Sequence, residues 1–382
     1  MKKLLVIIAA AALVFAFVAP APAVDWNFFG SARMATFYFS DDYGDQDGTA
    51  ATGIYSQYFG NLNSNAGDQD GMQWEMQSNS RLGARVKAES VSGYVEMGLK
   101  GTEGNDIDVG TRRIYGSWDF GAGKLKVGKD YTPCNQFISS QTVYADTGLL
   151  GVGTYYAYRP GQIALSFGGF TVAAITNDAD SLATIGGVPA NGDVQYYLPK
   201  LEAGWGMGFD NFSFGLMGGF QTYTEEDVLS TVPGNGRDDV DVTSWVVGAQ
   251  ASFNIGPAYI RGAVSYDQNG GNAGWLSTSG YWDGDDDIKD SNLMQAALVA
   301  GFKMSDMLSF EGGFGYSNLD NDDNLWDNDI SPWSAYVNAT VGLAPGVYII
   351  PEIGYFDYDE NPVTGDDQGN TFYAGAKWQI DF

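Results

Sequence analysis

The chain has 382 residues, 47 acidic against 19 basic, with one cysteine and no histidine. The missing histidine excludes Ser-His-Asp and Cys-His catalysis, His-ligated zinc and a histidine pH switch, and the lone cysteine excludes an internal disulfide framework. A net charge of −28 argues against nucleic acid as a partner, and 52 glycines beside 14% aromatic residues is not a disordered profile.

Residues 1–23 read as an export signal. Lys2 and Lys3 precede an apolar run from Leu4 to Val18, and Ala21-Pro22-Ala23 supplies a small-residue cleavage site. Cleavage there leaves 24–382 as one domain and, with two lysines gone, takes the charge from −28 to −30. No later stretch approaches the roughly 18 apolar residues of a membrane helix.

From residue 25 onward the pattern is alternation, the period of a strand with one apolar and one polar face. On the first strand, near 25–39, Trp26, Phe28, Met34 and Tyr38 take one face and Ser31 and Arg33 the other. Between Met72 and Lys87 the apolar face is Trp74, Met76, Leu82, Ala84 and Val86. Its polar face is Gln73, Glu75, Gln77, Asn79, Arg81, Arg85 and Lys87. On the fourth strand Ile114, Gly116 and Trp118 point one way, Arg113 and Tyr115 the other, and Arg112 falls on the apolar side near a loop end. Lys126 opposes Leu125 and Val127 on the fifth. Arg159 shares the parity of Ile163, Leu165 and Phe167, so it turns to the polar face only if Pro160-Gly161 forms a bulge, which is the expectation.

The alternation returns at Phe212, Phe214, Leu216 and Phe220, at Trp333 to Leu343, and over the last twelve residues to Phe382. Strands of about 9–16 residues exceed the soluble mode of about 5–6, and about 9–11 tilted residues cross a bilayer. Seven short connections, near 89–93, 121–123, 168–169, 206–211, 255–257, 305–307 and 344–346, separate eight long ones. The long ones lie near 40–71, 102–108, 130–152, 178–193, 223–241, 268–290, 319–331 and 357–369. They join sixteen strands, with 14 and 18 the neighbouring even counts. The fold class expected is therefore all-β: an antiparallel up-and-down transmembrane barrel with short turns at one end and long loops at the other. Seven tryptophans (Trp26, Trp74, Trp118, Trp205, Trp245, Trp333, Trp378) sit at strand ends on the apolar parity, as interface girdles do. Of the 47 acidic residues, 35 fall in the long loops, with only Arg237 and Lys289 as basic company.

This organisation resembles the trimeric general porins of Gram-negative outer membranes. Asn79-Ser-Arg-Leu-Gly-Ala-Arg85 looks like that family's second strand, and Gly128-Lys-Asp-Tyr-Thr-Pro133 like its entry into the third loop. The resemblance implies a third loop folded into the lumen, facing a basic wall across a constriction. By parity the wall is Arg33, Arg81, Arg85, Arg113, Lys126 and Arg159, and the loop supplies Asp130 and Asp146. It also implies a homotrimer, contact with membrane lipid and lipopolysaccharide, and recognition of Phe382 by the barrel-assembly machinery. The expected function is passive diffusion of ions and small hydrophilic solutes through an outer-membrane porin, with weak to moderate cation preference set by the acidic loops. A substrate-specific channel is the near alternative. An acidic surface adhesin or calcium-binding β protein is the distant one.

No catalytic residue, cofactor or metal site is expected. Asp283 to Asp290, Asn318 to Asp323, Asp45-Gln-Asp-Gly48 and Asp68-Gln-Asp-Gly71 contain calcium-like acidic runs, but none completes a ligand set. Cys134 lies in the third loop as a plausible pore-side thiol without a partner.

Overall fold

The computed structural model describes residues 24–42, 69–100, 108–179, 184–185, 188–189, 193–229, 237–282, 288–322, 329–360 and 365–382. The signal segment and the runs at 45–48 and 283–287 lie outside them.

Sixteen antiparallel strands close into one barrel. They are β1 (Asp25–Asp42), β2 in two halves (Gln69–Met76 and Arg81–Ala88), β3 (Val91–Lys100), β4 (Asp108–Asp119) and β5 (Lys124–Lys129). Next come β6 (Gly161–Phe167), β7 (Phe170–Ile175), β8 (Lys200–Gly208), β9 (Phe212–Leu229), β10 (Arg237–Ile255) and β11 (Ala258–Gln268). The circuit ends with β12 (Ser291–Lys303), β13 (Leu308–Asn321), β14 (Trp333–Ala344), β15 (Val347–Asp357) and β16 (Asn370–Asp381). Each strand pairs with the next, and β1 closes on β16 from Ser31 opposite Asp381 to Asp42 opposite Asn370. Closure leaves the sheet no free edge, which is how strands satisfy their backbone in a hydrocarbon layer. The seam is locked at its end by reciprocal backbone bonds between Gly30 and Phe382. The Phe382 ring occupies the space a side chain at position 30 would need.

The barrel is inside-out. Phe28 (72% exposed), Trp74 (71%) and Leu82 (59%) project outward, whereas Gln77, Glu96, Glu311 and Glu352 are buried on the lumen side. A water-soluble sheet would reverse that distribution, so the surroundings this surface suits are apolar. Among the described residues no helix is long and apolar enough to cross a membrane, which says nothing of a strand barrel.

Three departures from regular alternation position the lumen. β2 is interrupted at residues 77–80, where Gln77 N donates to Arg33 O and Ser80 N to Gln77 O. The interruption spans four residues, so the parity of the two halves is preserved while Gln77 and Asn79 are pushed inward. The second departure is a bulge. The β3–β4 register slips between Glu96, opposite Arg113, and Met97, opposite Thr111. The spare residue is Arg112, which therefore does not follow the outward parity expected from the sequence. A classic bulge leaves one residue without a ladder partner and re-aims its side chain. The third is the third loop itself, L3, which runs from Asp130 to Pro160 inside the barrel. Its one helical turn, α1 (Val143–Asp146), is broken by Tyr144 in the left-handed region. The first part of the sixth long loop, L6, also turns inward over residues 269–282, carrying a 3-10 turn (Gly270–Ala273) and burying Trp275 and Leu276 against L3. Nothing in its acidic composition signalled that.

A charged constriction held by the third loop

The basic wall forms on β1 to β5, where lumen parity coincides with Arg and Lys. Arg33 on β1 reaches Asp146 of L3 at 2.5 Å, and Asp146 also accepts from Lys377 of β16 at 2.8 Å. Arg113 and Lys126 share Asp130 at 2.6 and 2.7 Å. Asp146 and Asp130 thus each contact two cations directly. Arg81 instead turns to Glu96 on the neighbouring strand, at 3.6 Å, and the re-aimed Arg112 lies 2.9 Å from the other oxygen of that carboxylate. Gly98 makes this possible. A Cβ there would sit 2.2 Å from the Arg112 side chain, so the guanidinium's stem crosses the strand only because that position has none.

Arg85 projects into the lumen over the rings of Phe29 (5.0 Å) and Tyr94 (5.5 Å). Arg159 also reaches the channel side, resting on Tyr131 (5.0 Å) and donating to its hydroxyl at 3.0 Å. The expected bulge at Pro160-Gly161 is not the cause. β6 begins only at Gly161, so Arg159 belongs to the returning loop, and Tyr158 in the left-handed region (φ 57°) turns the chain ahead of it. Strand parity never applied to that residue.

L3 is fixed to the opposite wall by carboxylates that the sequence reading did not single out. Glu352 on β15 accepts from the Thr142 N–H (2.7 Å), the Val143 N–H (3.0 Å) and Asn338 Nδ2 (3.0 Å). Glu311 on β13 accepts from the Ser140 N–H at 2.5 Å and from the hydroxyls of Tyr336 and Tyr259. Glu202 on β8 accepts from the Cys134 N–H and from Trp275 of L6, each at 2.9 Å. At the loop tip Gln77 donates to the carbonyls of Thr142 and Tyr144, and Asn79 to that of Ala145. A loop turning through the lumen exposes backbone N–H groups that no strand can pair, and buried wall carboxylates are the acceptors that replace the ladder. The signal was present: an acidic residue on the inward parity of a strand interior, as at Glu96, Glu202, Glu311 and Glu352.

The same staples decide Cys134. It is fully buried between L3 and L6 rather than pore-facing, and burial pushes its thiol well above the ordinary range. Tyr156 of L3 is likewise pushed up to about 12 by burial, so its phenol stays neutral.

L3 thereby separates two chambers. Toward the loop end a cavity of about 670 Å³ is lined by Arg112, Lys129, Arg159 and Lys200 with Asp178. Toward the turn end a cavity of about 730 Å³ is lined by Lys126, Gln162, Gln250 and Arg261. Around L3, on and beside β1 to β5 and β16, stand eight cations (Arg33, Arg81, Arg85, Arg112, Arg113, Lys126, Arg159, Lys377) with three carboxylates (Glu96, Asp130, Asp146), while Glu202, Glu311 and Glu352 of the facing wall hold the loop. A wet passage narrowed by fixed charges filters and orients solutes.

Solved structures share this architecture. The outer membrane channel DcaP of Acinetobacter baumannii aligns over 95% of this chain and 100% of its own, with a TM-score of 0.66 at 16% identity. An anion-selective porin from Comamonas acidovorans covers 94% of this chain and 100% of its own, at 0.58 and 14%. Salmonella typhi OmpF, in complex with daunomycin, covers 93% and 97%, at 0.55 and 11%. No protein-family model matches the sequence, and no curated protein sequence does. The fold is thus the closed sixteen-stranded barrel that these outer-membrane porins and channels share.

Proposed function

We propose that the protein is an outer-membrane porin: a water-filled channel through which ions and small hydrophilic solutes diffuse passively. The observation that carries this is L3, stapled across the lumen of an inside-out barrel and meeting a wall of cations.

Two fields of opposite sign act in series. Of the 35 long-loop carboxylates, Asp130 and Asp146 belong to the constriction; the other 33 would concentrate cations at the mouth, while the constriction carries the cationic excess. Exposed mouth charges are screened as the Debye length falls from about 10 Å at 0.1 M to about 3 Å at 1 M salt. Pairs at the constriction are shielded from solvent and screened less. Reversal potentials across planar bilayers should therefore report weak to moderate cation preference at low salt and slide toward anions as salt rises. Anion preference at low salt, or repeated failure to observe any channel, would overturn this reading.

A homotrimer is part of the proposal. The outward side of the seam, with Ala32, Thr36, Ala374 and Ala376 flanked by Phe28 and Trp378, offers a low apolar face to a second copy. Conductance should rise in steps of three, and isolated single steps would count against it. The chain would be exported with loss of residues 1–23, then inserted among lipid and lipopolysaccharide by the barrel-assembly machinery reading Phe382. Deleting Phe382 removes both the terminal aromatic and the seam lock at Gly30. The expected result is several-fold less heat-resistant folded barrel in outer-membrane fractions; undiminished yield would reject the role.

A further inference from the structure

Six of the eight cations at the constriction meet a carboxylate. Arg85 and Arg159 meet none among the described residues, and both are held on aromatic faces. Arg159 lies 5.0 Å from the Tyr131 ring centre and 5.9 Å from that of Tyr156. Arg85 lies 5.0 and 5.5 Å from Phe29 and Tyr94. Tyr131 and Tyr94 also flank Arg113, at 5.3 and 4.4 Å, so ring and guanidinium alternate from Arg159 through Arg113 to Arg85. The order follows the channel axis. Arg159 precedes the loop end of β6 and lines the outer chamber. Arg113 stands opposite Glu96, and Arg85 opposite Tyr94, nearer the turn end.

A guanidinium whose face is taken by a ring still presents in-plane N–H groups; one Nη of Arg159 donates to the Tyr131 hydroxyl, and its remaining N–H groups are left for a solute. Such an N–H fork fits two oxygens of a carboxylate or phosphate, and a halide uses it poorly. Arg113, between the two, is already engaged by Asp130. We propose that Arg159 and Arg85 are paired oxyanion stations on either side of the constriction, selecting carboxylate- or phosphate-bearing solutes by oxygen geometry as well as by charge. Splitting the site in two keeps each station weak enough to release its solute, as conduction requires. The inference rests on the channel reading and narrows its solute class.

The test is single-channel recording of the full chain in potassium chloride, titrated with potassium acetate or potassium phosphate at constant ionic strength. Saturable block of the chloride current is expected. Arg85→Gln and Arg159→Gln should each raise the half-blocking concentration about five-fold or more. Arg85→Lys and Arg159→Lys keep the charge without the fork, so they should restore the chloride reversal potential but not the block. Block by acetate alone or by phosphate alone supports the inference and assigns the oxyanion. Lysine variants blocked like the parent protein would show that charge suffices, and would overturn it. Open channels that neither probe blocks overturn it too, while leaving the channel reading standing; absence of channels would overturn both.

Discussion

Replacing Glu352 by alanine should free the middle of L3 from the barrel wall and make the channel larger, noisier and less stable. Glu352 is buried, and its two oxygens accept from two consecutive backbone amides, Thr142 and Val143, besides Asn338 and the Tyr373 hydroxyl. Those amides belong to a loop and have no ladder to fall back on. Each buried donor left unpaired costs about 1–3 kcal/mol. Water from the adjoining chambers can satisfy part of the deficit, so a total loss of about 2–4 kcal/mol is expected. Denaturant unfolding in detergent reads the stability, and single-channel conductance reads the loop. Glu352→Gln should be milder, because one carbonyl oxygen remains to accept while the new amide group faces donors. Unchanged conductance and unchanged unfolding in the alanine variant would refute the staple.

The second large effect belongs to Asp146. Its carboxylate lies between Arg33 and Lys377, whose side chains are only 11% and 7% exposed. Asp146→Asn keeps the shape and removes the charge, leaving two cations poorly solvated and close together. Breaking a buried pair by deleting one partner costs about 3–5 kcal/mol. The same change adds one positive charge to the constriction and should move the reversal potential toward anions at every salt concentration. Asp130→Asn is the internal comparison. Arg113 and Lys126 are more exposed, at 22% and 23%, so selectivity should shift similarly while stability falls less. A stability loss in the Asp130 variant equal to that in the Asp146 variant would contradict the burial argument.

How far the constriction could be read from the chain depends on the kind of residue. Arg33, Arg81, Arg85, Arg113 and Lys126 lie on strands, and a two-residue period is enough to turn them inward once the apolar face is known. Lys377 obeys the same rule on β16, where it sits between the outward Ala376 and Trp378. It lies on the last strand, which only closure of the barrel brings beside β1. Arg112 and Arg159 differ. One is aimed by a bulge and the other by a left-handed turn, and neither feature has a glycine or proline signature at the residue that moves. Glu202, Glu311 and Glu352 were legible as inward carboxylates, but their task was not. It consists of accepting amides from a loop some 70 to 210 positions away in the chain.

The sequence by itself determined the barrel, its sixteen strands, the side shown by residues of the regular strands, and the separation of acidic loops from basic strands. These follow from a repeat of two along a chain whose outer face must be apolar, a property that each strand states locally. Only the tertiary structure decided the passage through it. The course of L3, the inward fold of L6 over a buried Cys134, and the choice of Glu96 as partner for Arg81 and Arg112 all depend on groups brought together by closure. The reason is physical: backbone donors inside a lumen take whichever acceptors the facing strands present, and those strands are distant in sequence. No local pattern records that pairing.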